Sequence, residues 1–150
     1  MGSTYNAWNE PVKALTYLDQ VKQRDPAYRG LYFEMAFSYN VLKQFDKAIQ
    51  ISEEGIKKNP KDCNLYKELL FAQMHIGNIE KAEKTYQAAL TQCSNKEINA
   101  EMAGNIASFY FNKKNKEKIN YWIVETRKWV DKESRNAKYL DYMEEQAGKL

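Results

Sequence analysis

Two stretches decide the fold: KQFDKAIQIS at Lys43–Ser52 and GNIEKAEKTY at Gly77–Tyr86. Aligned, Phe45 meets Ile79, Lys47 meets Lys81 and Ala48 meets Ala82, an offset of 34 residues. Two prolines keep the same offset, since Pro26 and Pro60 are also 34 residues apart. The residue before a proline is pushed out of the helical region. Asp25-Pro26 and Asn59-Pro60 therefore read as helix stops, whereas Pro11, after Asn9 and Glu10, reads as a helix start.

Between these stops the apolar residues keep helical spacing. Tyr32, Met35, Ala36 and Tyr39 share one helix face, and Ala48, Ile51, Gly55 and Ile56 form the next stripe. The break at Lys43–Gln44 is short, which predicts antiparallel neighbours. The plan recurs with Tyr66, Leu69 and Leu70, a break at Gly77-Asn78, then Ala82, Tyr86, Ala89 and Leu90. No segment alternates with a two-residue period, so no sheet is predicted.

Composition sets the outer bounds. The chain has 150 residues, with 43% hydrophobic and 29% charged, the profile of one folded, soluble domain. The net charge is +3, and it is spread over both halves of the chain, so bulk charge gives no support for a polyanion partner. The basic run Lys113–Lys118 reads as a solvated loop. No apolar run approaches the roughly 20 residues of a membrane-spanning helix, so no membrane insertion is expected. No secretory signal is visible. Met1-Gly2-Ser3 reads as an expression remnant, so a leader or further protein upstream stays open. Cytoplasm is the preferred compartment, with an exported or periplasmic location open if a leader has been removed.

The spacing resembles the tetratricopeptide repeat family, whose 34-residue pattern is W-x2-L-G-x2-Y…A-x3-F…P. In residues 29–62, Tyr32, Met35, Ala36, Tyr39, Ala48 and Pro60 fill the pattern, and Ser52 departs from it. In 63–96, Tyr66, Leu69, Ala82 and Tyr86 match, while Leu70, Gln73 and Ser94 depart. A degenerate third copy occupies 97–133 after a slight insertion. There Ile106, Ala107 and Tyr110 match, Ala103 replaces the aromatic, and Ile119 stands where Ala48 and Ala82 are small; the larger side chain is expected to widen that crossing. Residues 10–25 read as the second helix of a repeat whose first helix is missing. Residues 134–148 read as a capping helix seated against Trp122, Ile123, Trp129 and Val130. The expected fold is thus all-α, a single domain over 5–150. The resemblance implies a right-handed α-solenoid of antiparallel helix pairs, about three repeats plus flanking helices. The repetition has a physical cause: one hairpin cannot bury its apolar face alone, so each repeat supplies half of its neighbour's core.

No catalytic or metal constellation emerges. Cys63 and His75 lie 12 residues apart on one predicted helix, about 18 Å at 1.5 Å rise per residue, against the roughly 3 Å that a nucleophile and its base require. One histidine and two cysteines at this spacing form no zinc pattern. The adjacent acids Glu53-Glu54 and Glu144-Glu145 read as solvated faces. No enzyme activity and no cofactor are expected. Cys63 opens the first helix of the second repeat and Cys93 closes its second helix, so the two ends meet in an antiparallel hairpin. A disulfide is open to them if their α carbons come within about 7 Å; two reduced cysteines are the preferred state. A bridge would point to an oxidising compartment.

The resemblance implies that the first helix of each repeat lines a concave groove for a peptide or partner helix. The residues offer such a face: Phe33, Phe37, Asn40 and Val41, then Lys67, Phe71, Met74 and His75, then Gly104, Asn105, Ser108, Phe111 and Asn112. The aromatics and Met74 would supply apolar contact, and the asparagines would pair with an extended backbone. For Phe37 and Phe71, groove and core remain equally open. Some family members grip a chaperone's terminal carboxylate with Lys, Asn and Arg. Here Phe33, Phe37 and Gly104 occupy those places and only Lys67 is of the right type, so chaperone-tail binding is not expected. The expected role is a non-catalytic scaffold for a protein or peptide, without nucleic acid. The alternative is a structural or regulatory module of a larger protein, self-associating through an amino-terminal face near Tyr5 and Trp8.

Overall fold

The computed structural model describes residues 9–28 and 30–150; Met1–Ser3, Tyr5 and Trp8 lie outside the described residues. Eight helices occupy them: α1 Pro11–Arg24, α2 Leu31–Val41, α3 Phe45–Lys58, α4 Cys63–His75, α5 Ile79–Gln92, α6 Lys96–Asn112, α7 Lys116–Arg127 and α8 Arg135–Gly148. Each helix packs on the next in sequence, and α2, α4 and α6 also lie side by side. The architecture is an all-α helical-repeat solenoid, and no strand occurs among the described residues.

Local chemistry sets the ends of these helices. Pro11 takes the first turn of α1, where its missing N–H costs nothing. Asp25 and Asn59 cap the carboxyl ends of α1 and α3, each just before a proline. Asp62, Asn78, Asn95, Asn115 and Ser134 each accept a backbone N–H at the start of a helix, satisfying donors the helix leaves orphaned.

The turn inside each hairpin is one device used three times. Gln44 N–H donates to Tyr39 O at 2.9 Å, Asn78 to Gln73 O at 2.9 Å, and Asn115 to Tyr110 O at 3.2 Å. The preceding residues, Lys43, Gly77 and Lys114, have φ of 60°, 84° and 57°. This is the left-handed close of a helix. Only Gly77 adopts it free of Cβ strain, so the glycine is a local convenience and the turn itself is held by the packing of the hairpin.

Ala14, Ala48 and Ala82 are all fully buried, the small residues that let neighbouring helices approach. Ile119, at the corresponding place in α7, is also fully buried. The expected loosening there does not appear: α6 and α7 form the most extensively packed pair. Part of the reason is length, since α6 runs 17 residues against 13 for α4. The extra residues of the third copy lengthen a helix rather than a loop.

Gly55 is the tightest crossing. A Cβ there would lie 2.6 Å from Tyr32 Cβ and 3.0 Å from Leu65 Cδ1. Tyr32 Cβ is fixed to its backbone, so α2 and α3 would have to separate. At Gly104 a Cβ would meet only Thr126 Cγ2, at an ordinary 3.7 Å. Gly55→Ala is expected to lower the melting temperature, because overpacking costs about 1–3 kcal/mol and a contact this short falls at the upper end. Gly104→Ala is expected to raise it, since alanine in a helix is favoured over glycine by about 1 kcal/mol. Paired thermal melts check both; equal shifts of the same sign would contradict this account of the crossing.

The core is continuous along the stack. One cluster joins Ala14, Leu18, Leu31, Met35 and Leu65, and another joins Leu70, Tyr86, Met102, Ile106, Ile123 and Met143, with Ile56 touching both. Helix α8 seats Leu140, Met143 and Ala147 in the second cluster beside Trp122 and Ile123, with Trp129 and Val130 packed at its margin.

Candidate functional site: the face of α2, α4, α6 and α8

The side-by-side helices α2, α4 and α6 present a common face, and the aromatic residues sit along it. On α2, Phe33 and Phe37 are half-buried, with ring centroids 6.1 Å apart. On α4, Phe71 is exposed and lies 4.3 Å from the exposed His75, which stacks on Phe45 at 4.8 Å. Helix α6 contributes Phe111, half-buried and 6.2 Å from Tyr142 of α8. Tyr142 in turn stacks on Tyr139 at 6.3 Å, and both tyrosines are about half exposed. Phe45, Tyr139 and Tyr142 are absent from the sequence-derived set. A helical wheel for α8 does place Tyr139 and Tyr142 on one side; that this side continues the face of α6 depends on how α8 docks.

The remaining predicted residues separate by burial. Asn105 and Ser108 are half-buried and Asn112 is exposed; Val41 and Met74 are half-buried, Met74 packing on the core. Asn40, expected at the groove edge, is instead only 6% exposed. Its Nδ2 donates to the backbone oxygen of Glu68 at 3.1 Å and to Glu68 Oε1 at 3.1 Å. The reason is the close approach of α2 and α4, which leaves an amide on this line facing a neighbouring backbone. Glu68 is itself buried. Desolvation pushes its carboxyl above the usual range, opposed by the Asn40 bond and by Lys67.

Lys67 is drawn into the protein in three directions. Its Nζ lies 3.9 Å from Glu68 Oε2, 3.8 Å from Glu101 Oε2 and 5.6 Å from the Phe33 ring. The acids expected on solvated faces are also partly engaged. Glu54 pairs with Lys22 at 3.2 Å and accepts the Tyr32 hydroxyl at 3.4 Å, and Glu144 meets Arg127 at 3.4 Å.

The cysteines correct the sequence preference. Cys63 and Cys93 are joined in a disulfide with α carbons 5.6 Å apart. Cys63 is the first residue of α4 and Cys93 caps α5, so the antiparallel hairpin brings them within bridging reach. No distance along the sequence reports that approach.

Two clefts border the face. The larger, about 950 Å³, lies by the α1–α2 and α3–α4 loops and is lined in part by Pro26, Tyr32, Phe33, Lys58 and Asn64. The other, about 380 Å³, lies between α6, α7 and α8 and carries Glu97, Glu101, Asn105, Val130 and Tyr139 on its walls. No helix among the described residues is long and apolar enough to cross a membrane.

With this geometry in place, the comparisons can be set beside it. No protein-family model matches the chain. The TPR repeat-containing protein YpiA of Bacillus subtilis (strain 168) is 29% identical over 77 residues, which is 51% of this chain and 18% of that protein. Over half its length, this chain is similar to a tetratricopeptide-repeat protein. The match covers less than a fifth of that relative, so what the whole relative does is not transferred here. The similarity agrees with the 34-residue period and with the stacked hairpins of the fold.

Proposed function

We propose that this protein is a non-catalytic protein-interaction scaffold that holds an apolar peptide or partner helix along the face of α2, α4 and α6. The observation that carries this reading is the row of incompletely buried rings on adjacent helices: Phe33 and Phe37, then Phe71 and His75, then Phe111 and Tyr142. Adjacent parallel helices offer anchor points at regular intervals, and aromatic anchors dominate binding energy at protein interfaces. The face has little free positive charge, because Lys67 is shared between Glu68 and Glu101. That favours a protein ligand over a nucleic acid, which would need a basic groove behind its stacking rings.

The test is affinity capture from a lysate of the source organism, with native protein beside a Phe37→Glu, Phe71→Glu variant of verified helicity. The expected result is a partner held by the native chain and lost by the variant, with an affinity loss of roughly 30-fold or more for removal of a hot-spot anchor. A partner that binds both alike would move the site off this face.

A further inference from the structure

The cleft between α6, α7 and α8 has a chemistry distinct from the rest of the face. Glu97 and Glu101 stand one helical turn apart on α6, and Tyr139 of α8 stands across from them. Like charges at this spacing repel within a helix, so the pair is held at a cost that a cation would relieve. The basic side chains nearby are engaged elsewhere. Lys96 pairs with Asp131 at 3.4 Å, Lys128 with Glu125 at 2.8 Å, and Arg127 with Asp141 at 2.9 Å. Lys67 reaches Glu101 only at 3.8 Å while shared with Glu68. Among the described residues, no ion pair to Glu97 is formed.

Below the carboxylates the wall is apolar, with Val130, Leu140 and the half-exposed ring of Tyr139. A carboxylate rim, an aromatic face and an apolar wall together match one kind of side chain. A basic residue lays its methylene stem on apolar surface while its head group meets the acids and the ring. An anion would be repelled by the rim, and a purely apolar group would desolvate two carboxylates without a partner.

We propose that this cleft takes a basic side chain, arginine before lysine, of the segment bound along the face, seating its head group between Glu97 and Glu101 and its stem against Tyr139 and Leu140. The preference for arginine follows from its planar donor fork, which pairs with carboxylates and stacks on rings. The proposal rests on the groove reading above and makes it specific. The partner is an apolar segment with a basic residue at one end, and its direction along α2, α4, α6 and α8 is set by that residue.

The test is selection of displayed random dodecapeptides on the full chain at low salt. The selected peptides are then measured on native protein, on Glu97→Gln, Glu101→Gln, and on Phe37→Glu, Phe71→Glu. Glu101 is 53% exposed and Glu97 is exposed, so the Gln variant is expected to fold, as circular dichroism will verify. The expected result is enrichment of arginine or lysine at one fixed spacing from the apolar anchors. The Gln variant is expected to lose about ten-fold in affinity, as for a charge paired and stacked in a partly desolvated pocket. Replacing the peptide's basic residue with norleucine should cost the same, and the two losses should not add. Peptides that need Phe37 and Phe71 but carry no fixed basic residue, or bind the Gln variant equally, would overturn the cleft assignment and leave the groove standing. Failure to select any peptide, or selection of peptides indifferent to the Phe variant, would remove both.

Discussion

Reduction of the Cys63–Cys93 bridge is expected to lower the melting temperature by roughly 6–15 °C, from about 3–4 kcal/mol of lost stability. The bridge closes a segment with a sequence separation of 30. In the chain-entropy account, a loop of this size restricts the unfolded ensemble by that amount. It ties the open end of the α4–α5 hairpin, whose other end is the Gly77 turn. The hairpin sits at mid-stack, where Tyr66, Leu70 and Tyr86 join the larger core cluster. In a solenoid each unit contacts only its neighbours, so loosening a central hairpin weakens both interfaces it makes. The measurement is a thermal melt with and without reductant, beside a Cys63→Ala, Cys93→Ala chain. The native chain should respond to reductant and the alanine chain should not. Free thiols in protein purified without reductant, or a melt indifferent to reductant, would contradict the bridge as a stabilising link.

Tyr86→Phe is expected to cost about 2–3 kcal/mol, a large effect for one oxygen atom. Tyr86 is fully buried. Its hydroxyl donates to Glu125 Oε2 at 2.7 Å and accepts from Trp129 Nε1 at 2.8 Å. Burial, reinforced by the neighbouring Glu125, pushes the phenol well above its ordinary value, so it stays a neutral donor. Desolvation works against ionisation of Glu125. The bonds from Lys128 and Tyr86 outweigh it and hold the carboxyl below its usual range. Removing the hydroxyl leaves the Trp129 N–H without this acceptor and takes one of two donors from a buried carboxylate. Unpaired buried groups carry the full desolvation penalty. Urea unfolding with an unchanged slope would report the loss as stability alone, with Tyr139→Phe, at an exposed ring, as the neutral control. A Tyr86→Phe loss under 0.5 kcal/mol would mean that the network adds little.

Tyr86 also shows how far a repeat pattern reads. Its place in the period marks a buried aromatic, and it is buried. The pattern does not reveal that its hydroxyl joins α5 to Glu125 in α7 and to Trp129 just beyond it. Asn40 shows the opposite failure. Its helical angle puts it on the line of Phe33 and Phe37, yet α4 closes over it and turns a candidate ligand contact into a tie between α2 and Glu68. The aromatic row was half legible: Phe33, Phe37, Phe71 and Phe111 follow from spacing, while Tyr139 and Tyr142 join only because α8 docks beside α6.

What the amino-acid order determined alone is local and periodic. Prolines and asparagines mark the helix ends, the 34-residue recurrence places the turns at Lys43 and Gly77, and Ala48 and Ala82 mark close helix contacts. These follow from dihedral preferences, capping and the 3.6-residue period, all of which act within a few residues. The tertiary structure decided the Cys63–Cys93 link, the burial of Asn40 with Glu68, the Tyr86–Glu125–Trp129 network and the cleft between Glu97 and Tyr139. Each depends on the angle and distance at which whole helices stack. Those are set by the summed packing of many side chains, which no single period in the sequence encodes.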